Sequence, residues 1–452
     1  MEQNNTILLR DYQQSLFLKT KNHFRVGKTR VLVVAPCGSG KSYIFANMVQ
    51  YGSEKGEVLI LIHRNELKQQ HLNLFKTLNI NTENIRIESV FTEVNHLSEH
   101  TKPVLIILDE AHLSRAKTWE TVINHYNTYI VGFTATPIRL DNKPLGDIYD
   151  SMASGIEIDE LIEKKCLAPF EYFAPISVNT EQLKTQCGDY SVVDLEKLMC
   201  DSVIYGDVIK SYQKIADNEQ AIVYCVNKKH ARETAEKFKN AGYKAAWIDS
   251  DNTNLERSKI IRDFKNGEIT VLCNCGIISE GVSIDICSVC ILLRPTQSLA
   301  LYIQQATRCM RYLPNKTAKI IDCVGNYTRH GLPNEKHEWS LITPVKKQKK
   351  FNDKGEFNIR VCQNCFRSFL TAPMCPFCGE KYEKTERELK EMETVEISRI
   401  TAVELEELER QKKVKRMEVG MCKSRADLIK IARERGYDMK WVWIQQKIKG
   451  IR

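Results

Sequence analysis

Lys41 and Ser42 follow Gly38-Ser39-Gly40 in this 452-residue chain, and a lysine and a hydroxyl on a glycine loop suit a polyphosphate. Glycines let backbone N–H groups curl around phosphate oxygens, the lysine reaches the terminal phosphates, and the hydroxyl can ligate Mg²⁺. A second group is Asp109-Glu110 with His112 two residues on. Of the two carboxylates, Asp109 is expected to hold Mg²⁺, through water, and Glu110 to polarise an attacking water. Gln304, Arg308 and Arg311 recur at four- and three-residue spacing, which on a helix puts all three on one face. Finally, Cys362-x-x-Cys365 and Cys375-x-x-Cys378 offer four thiolates, enough to close a tetrahedral Zn²⁺ site with no position left open for catalysis.

Chemistry of this kind needs elements that aim it. The apolar, β-branched run Arg30–Ala35 reads as a buried parallel strand. It runs into Pro36-Cys37-Gly38-Ser39-Gly40-Lys41-Ser42 and then into a helical pattern through Ile44, Phe45, Met48 and Val49. Strand, glycine loop and helix are the context a P-loop requires, with the helix N-terminus adding positive potential. Ala35 stands where the full pattern has its first glycine. Val104–Leu108 reads as a second buried strand that delivers Asp109 and Glu110 at its carboxyl end, where doubly wound sheets bind ligands. Further strand-like runs at 220–226, 244–248, 269–273, 289–293 and 318–321, with a helix at 230–241 closed by Gly242, predict a second parallel-sheet unit.

Taken in series, these motifs resemble those of a superfamily 2 helicase of the DEAH-box type, over about residues 7–345. Leu9-Arg10-Asp11-Tyr12-Gln13 resembles the leading motif of the branch that holds type III restriction motors and DNA-repair helicases. That resemblance assigns adenine reading to Gln13, with Arg10 beside it, and so implies ATP. Ile62–Leu67 and Ser89-Val90-Phe91-Thr92 resemble backbone-contacting motifs, which makes Arg64 and Thr92 candidate contacts to nucleic-acid phosphates. Thr134-Ala135-Thr136-Pro137 resembles the motif that links the nucleotide site to the strand. Asn274–Asp285 resembles the motif centred on Glu280-Gly281-Val282, with Gly281 near the nucleotide. Ser283 stands where relatives carry a ribose-contacting aspartate, and either Ser283 or Asp285 takes that contact. Gln304–Arg311 resembles the arginine motif, with Thr307 in place of glycine, and implies that Arg308 and Arg311 act as arginine fingers from the second domain.

The implied architecture is α/β. It comprises two tandem RecA-like parallel-sheet domains at 7–156 and 207–345 joined by a connector at 157–206, a zinc ribbon at 358–382 and a basic helical tail at 384–452. Residues 1–340 carry 40 basic and 40 acidic side chains, whereas residues 341–452 carry 26 and 17. The whole net charge of +9 therefore lies in the tail, as expected of a nucleic-acid clamp beside a neutral motor. Lys346-Lys347-Gln348-Lys349-Lys350 serves as a linker or binds phosphate. Residues 384–418 read as exposed helices or as disorder. Ser424-x-x-Asp427 is a capping box for a helix through Leu428, Ile429, Ile431 and Ala432, and Trp441 and Trp443 either close a mini-core or stack on bases.

Sixteen cysteines with no leader and no membrane run fit a reducing cytoplasm. Cys287 and Cys290, with Cys273 and Cys275 nearby, are expected as buried thiols rather than a second metal site. The function these features imply is an ATP-dependent DNA helicase or translocase of replication, recombination or repair. It would use ATP, Mg²⁺ and structural Zn²⁺, act on single-stranded, forked or duplex DNA, and meet replication or repair proteins. An RNA-directed helicase is the second reading, and a binding module that has lost turnover is the third. Retention of Lys41, Asp109, Glu110, Arg308 and Arg311 speaks against the third.

Overall fold

A computed structural model of the chain describes residues 7–63, 66–114, 116–139, 141–174, 183–186, 189–199, 202–276, 286–343, 359–362, 364–370, 372, 374–381, 424–435, 442 and 446. The first sheet is built from β1 (Arg30–Val34), β2 (Val58–Ile62), β3 (Ile85–Ser89), β4 (Leu105–Leu108), β5 (Tyr129–Thr134) and β6 (Ser151–Ser154). Their spatial order is β3-β2-β4-β5-β1-β6, and every pairing is parallel. Val31–Val34, all of β2 and all of β4 are buried, as expected of strands covered on both faces. Each such Val, Leu or Ile contributes about 1.5–3 kcal/mol of burial.

The second sheet takes its edge strand from an unexpected place. β7 (Phe170–Phe173) lies inside the stretch expected as a connector. It is followed by the hairpin β8 (Thr185–Gln186) and β9 (Asp189–Tyr190), and then by β10 (Ala221–Tyr224), β11 (Ala245–Ile248), β12 (Val271–Asn274), β13 (Val289–Leu292) and β14 (Ala318–Asp322). The order is β11-β12-β10-β13-β14-β7, again wholly parallel. Tyr172 explains why the segment pairs there: it is buried, and its hydroxyl donates to Asp322 Oδ2 at the end of β14 over 2.8 Å.

A small antiparallel pair, β15 (Ile359–Val361) and β16 (Ser368–Leu370), is flanked by the four cysteines, Cys362 and Cys365 between the strands and Cys375 and Cys378 after β16. It sits against β7: Ala174 N donates to Phe366 O at 3.1 Å, Phe173 bridges Arg367, and the Arg367 guanidinium meets Glu171 at 2.5 Å. The ribbon thus continues the second sheet past its edge.

The described residues beyond 381, namely 424–435, 442 and 446, belong to a second unit. Within it, the helix Arg425–Arg435 starts on the expected capping box, since Asp427 N donates to Ser424 Oγ and Ser424 N donates to Asp427 Oδ2. Leu428 and Ala432 pack with Val442 in a minor core. Trp441, Trp443, the lysine run 346–350 and residues 384–418 lie outside the described residues.

Candidate active site

β1 ends at Val34, and the chain turns through Pro36–Gly40 into the helix Lys41–Ser53, whose Ile44, Phe45, Met48 and Val49 are buried as the pattern required. Gly38 and Gly40 have φ of 79° and 73°, a region that side chains other than glycine enter at a cost. A Cβ on Gly40 would also run into the Gln13 amide. Among the loop's expected phosphate binders, Ser39 is buried, Cys37 is partly buried and Ser42 is exposed at the helix start.

Lys41 keeps its charge above the ordinary lysine range. Burial works against the ammonium, but the neighbouring Glu110, Cys37 and Asp109 side chains outweigh it, with Arg308 opposing them. One electrostatic neighbourhood therefore contains the lysine of the first half and an arginine of the second.

Asp109 and Glu110 stand at the carboxyl end of β4, beside the loop. Asp109 Oδ1 accepts from Glu110 N, and its Oδ2 lies 3.2 Å from His71 Nε2. Burial pushes the Asp109 carboxyl up, yet the His71 hydrogen bond and charge, together with Lys41, hold it below the usual carboxylate range. It is thus an anion at neutral pH, suited to Mg²⁺ with Ser42. Glu110 is held at φ 55°, a left-handed backbone that costs of order 1–3 kcal/mol in a residue of this kind. That turn re-aims the carboxylate at the exit of the strand, with Oε2 3.4 Å from His112 Nδ1. His71 carries no motif signal. It stacks on Phe45 at 4.6 Å between centroids, a contact across sequence that only the fold reveals.

Gln13 is buried, and both ends of its amide are occupied. Oε1 accepts from Arg10 N at 3.0 Å, and Nε2 donates to Ser39 O at 3.0 Å and to Gly40 O at 3.3 Å. Tyr12 also donates to Ser39 O. The leading motif therefore holds the phosphate loop from behind. Arg10 Nη1 lies 2.7 Å from Cys166 Sγ, a partner that sequence reasoning missed.

From the second half, the helix Leu299–Ala306 buries Gln304, whose Oε1 has no hydrogen-bond partner among the described residues. The expectation that Gln304, Arg308 and Arg311 share one helical face is corrected here. The α-helix stops at Ala306, Thr307–Met310 form a 3-10 turn, and Arg311 is extended at φ −61° and ψ 132°. Thr307 has its hydroxyl bonded to Ile303 O at 2.7 Å, and the chain then leaves the helix to pair Arg311 with Leu167. Thr134 and Thr136 are buried at the end of β5, where Thr134 Oγ1 donates to Thr136 O and accepts from Thr136 N.

Arg64 and Gly281, with the rest of 277–285, lie outside the described residues. Thr92 is exposed beside a cavity of about 430 Å³ lined by His63, Ser89, Phe91, Asn95 and His96. Its hydroxyl lies 2.8 Å from Ser89 Oγ.

The four cysteine Sγ atoms lie within 4.8 Å of one another, with Cys362–Cys378 at 3.5 Å and Cys365–Cys375 at 3.7 Å. A tetrahedral ion with metal–sulfur bonds of about 2.3 Å needs sulfur–sulfur edges of about 3.8 Å, so the donor set fits Zn²⁺. Cys273, Cys287 and Cys290 are buried, and burial raises each thiol pKa. Among the described residues only the ribbon gathers three or more His, Cys, Asp or Glu side chains in a cluster able to hold a metal.

A family model described as the type III restriction enzyme, res subunit, matches residues 6–139, and one described as the helicase conserved C-terminal domain matches residues 204–313. A 51.5 kDa protein of a Lactococcus phage is 38% identical over 336 residues, covering 74% of this chain and 73% of its own. A protein of Saccharomyces cerevisiae named as an ATP-dependent helicase, IRC3, is 30% identical over 355 residues, covering 70% of this chain and 52% of its own. The chain thus spans about half the length of that yeast relative. Among solved structures, the DNA-bound Type ISP restriction-modification enzyme LlaBIII superposes with a TM-score of 0.51 at 15% identity, covering 70% of this chain and 27% of that one. At that identity the likeness speaks for the fold alone.

Proposed function

Because the chain belongs to the superfamily 2 helicases of the type III restriction-enzyme branch, we propose that it couples ATP hydrolysis to movement along DNA in replication, recombination or repair. It is an ATP-dependent helicase with two parallel-sheet domains, and use of ATP and Mg²⁺ comes with that membership. The observation that carries the proposal is the shared charge environment of Lys41, Glu110, Asp109 and Arg308. Phosphate binding by the first half and charge stabilisation by the second meet there.

In this reading Lys41 and the amides of Gly38–Lys41 grip the phosphates, and Glu110 polarises the water that attacks the terminal one. Magnesium, held by Ser42 and Asp109, supplies charge neutralisation of the phosphates when bound. Arg308 and Arg311 enter from the second half, so nucleotide binding draws the halves together and product release lets them part. Arg64 and Thr92 are proposed phosphate contacts on the tracked strand. The four cysteines are proposed to hold one structural Zn²⁺, which supports the ribbon in place of a core.

DNA rather than RNA is favoured by the restriction-enzyme branch and by the basic tail. No helix among the described residues is long and apolar enough to cross a membrane. All the described cysteines are free thiols, which supports a reducing compartment, and we assign the cytoplasm.

The test is steady-state ATPase activity at fixed salt with single-stranded, duplex or forked DNA, or RNA. Stimulation by DNA alone is expected. Stimulation by RNA alone would move the assignment to an RNA-directed motor, and no turnover with any of them would sink the motor reading.

A further inference from the structure

The turn Arg294–Ser298 leads into the helix that carries Gln304 and ends beside Arg308. Inside its own half this turn is held rigidly. Asn326 Oδ1 accepts from Thr296 N and its Nδ2 donates to Arg294 O, while His330 Nε2 lies 2.9 Å from Thr296 O. Asp189, at the β8–β9 hairpin, grips it again: Oδ1 accepts from Gln297 N at 2.7 Å, and Oδ2 from Thr296 Oγ1 at 3.0 Å and Arg294 Nη2 at 3.2 Å.

The first half reaches the same turn through the Asn142 side chain. Asn142 Nδ2 donates to Gln297 O at 2.8 Å, and Asn142 Oδ1 accepts from Leu299 N at 3.1 Å. Both ends of the amide are used, as one residue of a β-ladder would use its backbone. Leu299 is the first residue of the helix that carries Gln304 and runs into the turn holding Arg308, so Asn142 bonds one of the N–H groups that a helix start leaves open. Asn142 itself is fixed at φ 60° on a tight hairpin closed by the Ile138–Pro144 bridge. Arg139 N bonds Lys143 O, Asn142 N bonds Arg139 O, and Arg139 pairs with Asp141 at 3.0 Å. That hairpin follows directly on Thr134–Pro137. Two stiff elements, one from each half, are thus joined by one amide.

We propose that Asn142 is a positioning residue. It ties the helix carrying Gln304, and with it the 3-10 turn that carries Arg308, to the hairpin that follows the Thr134–Thr136 loop and so sets where Arg308 stands relative to Lys41 when the halves close. This rests on the motor reading above. Neither a glycine nor an aspartate can do the same work. Glycine keeps the left-handed turn and removes the amide, and aspartate keeps the acceptor but faces the Gln297 carbonyl with a second acceptor.

The experiment compares the full wild-type chain with N142G and N142D. For both variants kcat of nucleic-acid-stimulated ATP hydrolysis is expected to fall about 10- to 100-fold, the range of a misplacement near 1 Å, while the KM for ATP stays within about twofold. Hydrogen exchange at the Leu299 amide is expected to quicken in N142G, a readout that needs no turnover. If the wild type itself fails to hydrolyse ATP, the motor reading falls and the exchange data alone judge the clamp. Wild-type kcat in both variants, or unchanged exchange at Leu299, would overturn the proposal.

Discussion

Leu167 pairs with Arg311 in an antiparallel bridge, and the same leucine's side chain fills the space beside Gly38, where a Cβ would stand 2.5 Å from Leu167 Cδ2. Ala168 N adds a bond to Met310 O at 2.8 Å. One residue thus touches the phosphate loop with its side chain and the arginine segment with its backbone. Cys166, just before it, meets Arg10. Segment 166–168 is a strap between both halves of the nucleotide site.

Gly38→Ala is expected to abolish ATP turnover, both because φ is 79° and because the methyl meets Leu167. Adding Leu167→Ala makes room but leaves the backbone strain, so the double variant should stay inactive. Leu167→Ala alone, at a fully buried site, should lower the urea-unfolding free energy by about 2–5 kcal/mol. Full activity in the double variant would show that space alone matters at Gly38.

Glu110→Gln should lower kcat by about 10²–10⁴ with nucleotide affinity retained, because the amide is nearly isosteric and cannot polarise water as a carboxylate does. Stopped-flow binding of a fluorescent nucleotide, alongside turnover, checks this. A kcat within threefold of wild type would remove Glu110 from the chemistry.

The ribbon should hold one zinc ion per chain by elemental analysis. Stripping it with a chelator is expected to speed hydrogen exchange at residues 359–381 and also at 170–174, since Ala174 N donates to Phe366 O and Glu171 and Phe173 pair with Arg367. Exchange confined to the ribbon would show that β7 is held without it.

Stability should fall as the medium turns mildly acidic. Burial holds His230, His330 and His337 each down to about 4, below the ordinary value near 6.5. In the unfolded chain all three protonate near 6.5, so unfolding takes up protons between about 6.5 and 4. Their contribution is complete above that range and is lost as pH falls through it, on the order of 3 kcal/mol each at the acid end. Asp322 and Glu157, both pushed up by burial, work the other way at the lower end of the range. Urea unfolding at pH 7.5 and 5.5 should show the lower free energy at 5.5, and a flat profile would refute this account.

What could be read from the chain was whatever is contiguous. The glycine loop, the Asp109-Glu110 pair and the two cysteine hooks each carry their chemistry within a few neighbouring positions. The run Val31–Val34 is apolar enough to announce a strand without its partners. Residues whose roles depend on distant partners stayed silent. Phe170–Phe173 pairs with a strand nearly 150 positions later, and Asn142 grips Gln297 and Leu299 across a similar gap. Arg311 was misplaced because a repeating three- and four-residue spacing says nothing of where a helix ends. There the 3-10 turn and the pairing with Leu167 decide the path.

The position of β7 also bears on how the chain comes off the ribosome. Every strand of the first sheet lies between residues 30 and 154, so that sheet can close while synthesis continues. β7 emerges soon after but must wait for β14 at 318–322 on one side and for residues 366–367 on the other. At about 5–20 residues per second that wait is on the order of ten seconds. For that interval an aromatic strand with two unsatisfied edges is exposed, and slow translation between residues 174 and 318 would lengthen its chance of aggregating or of meeting a chaperone.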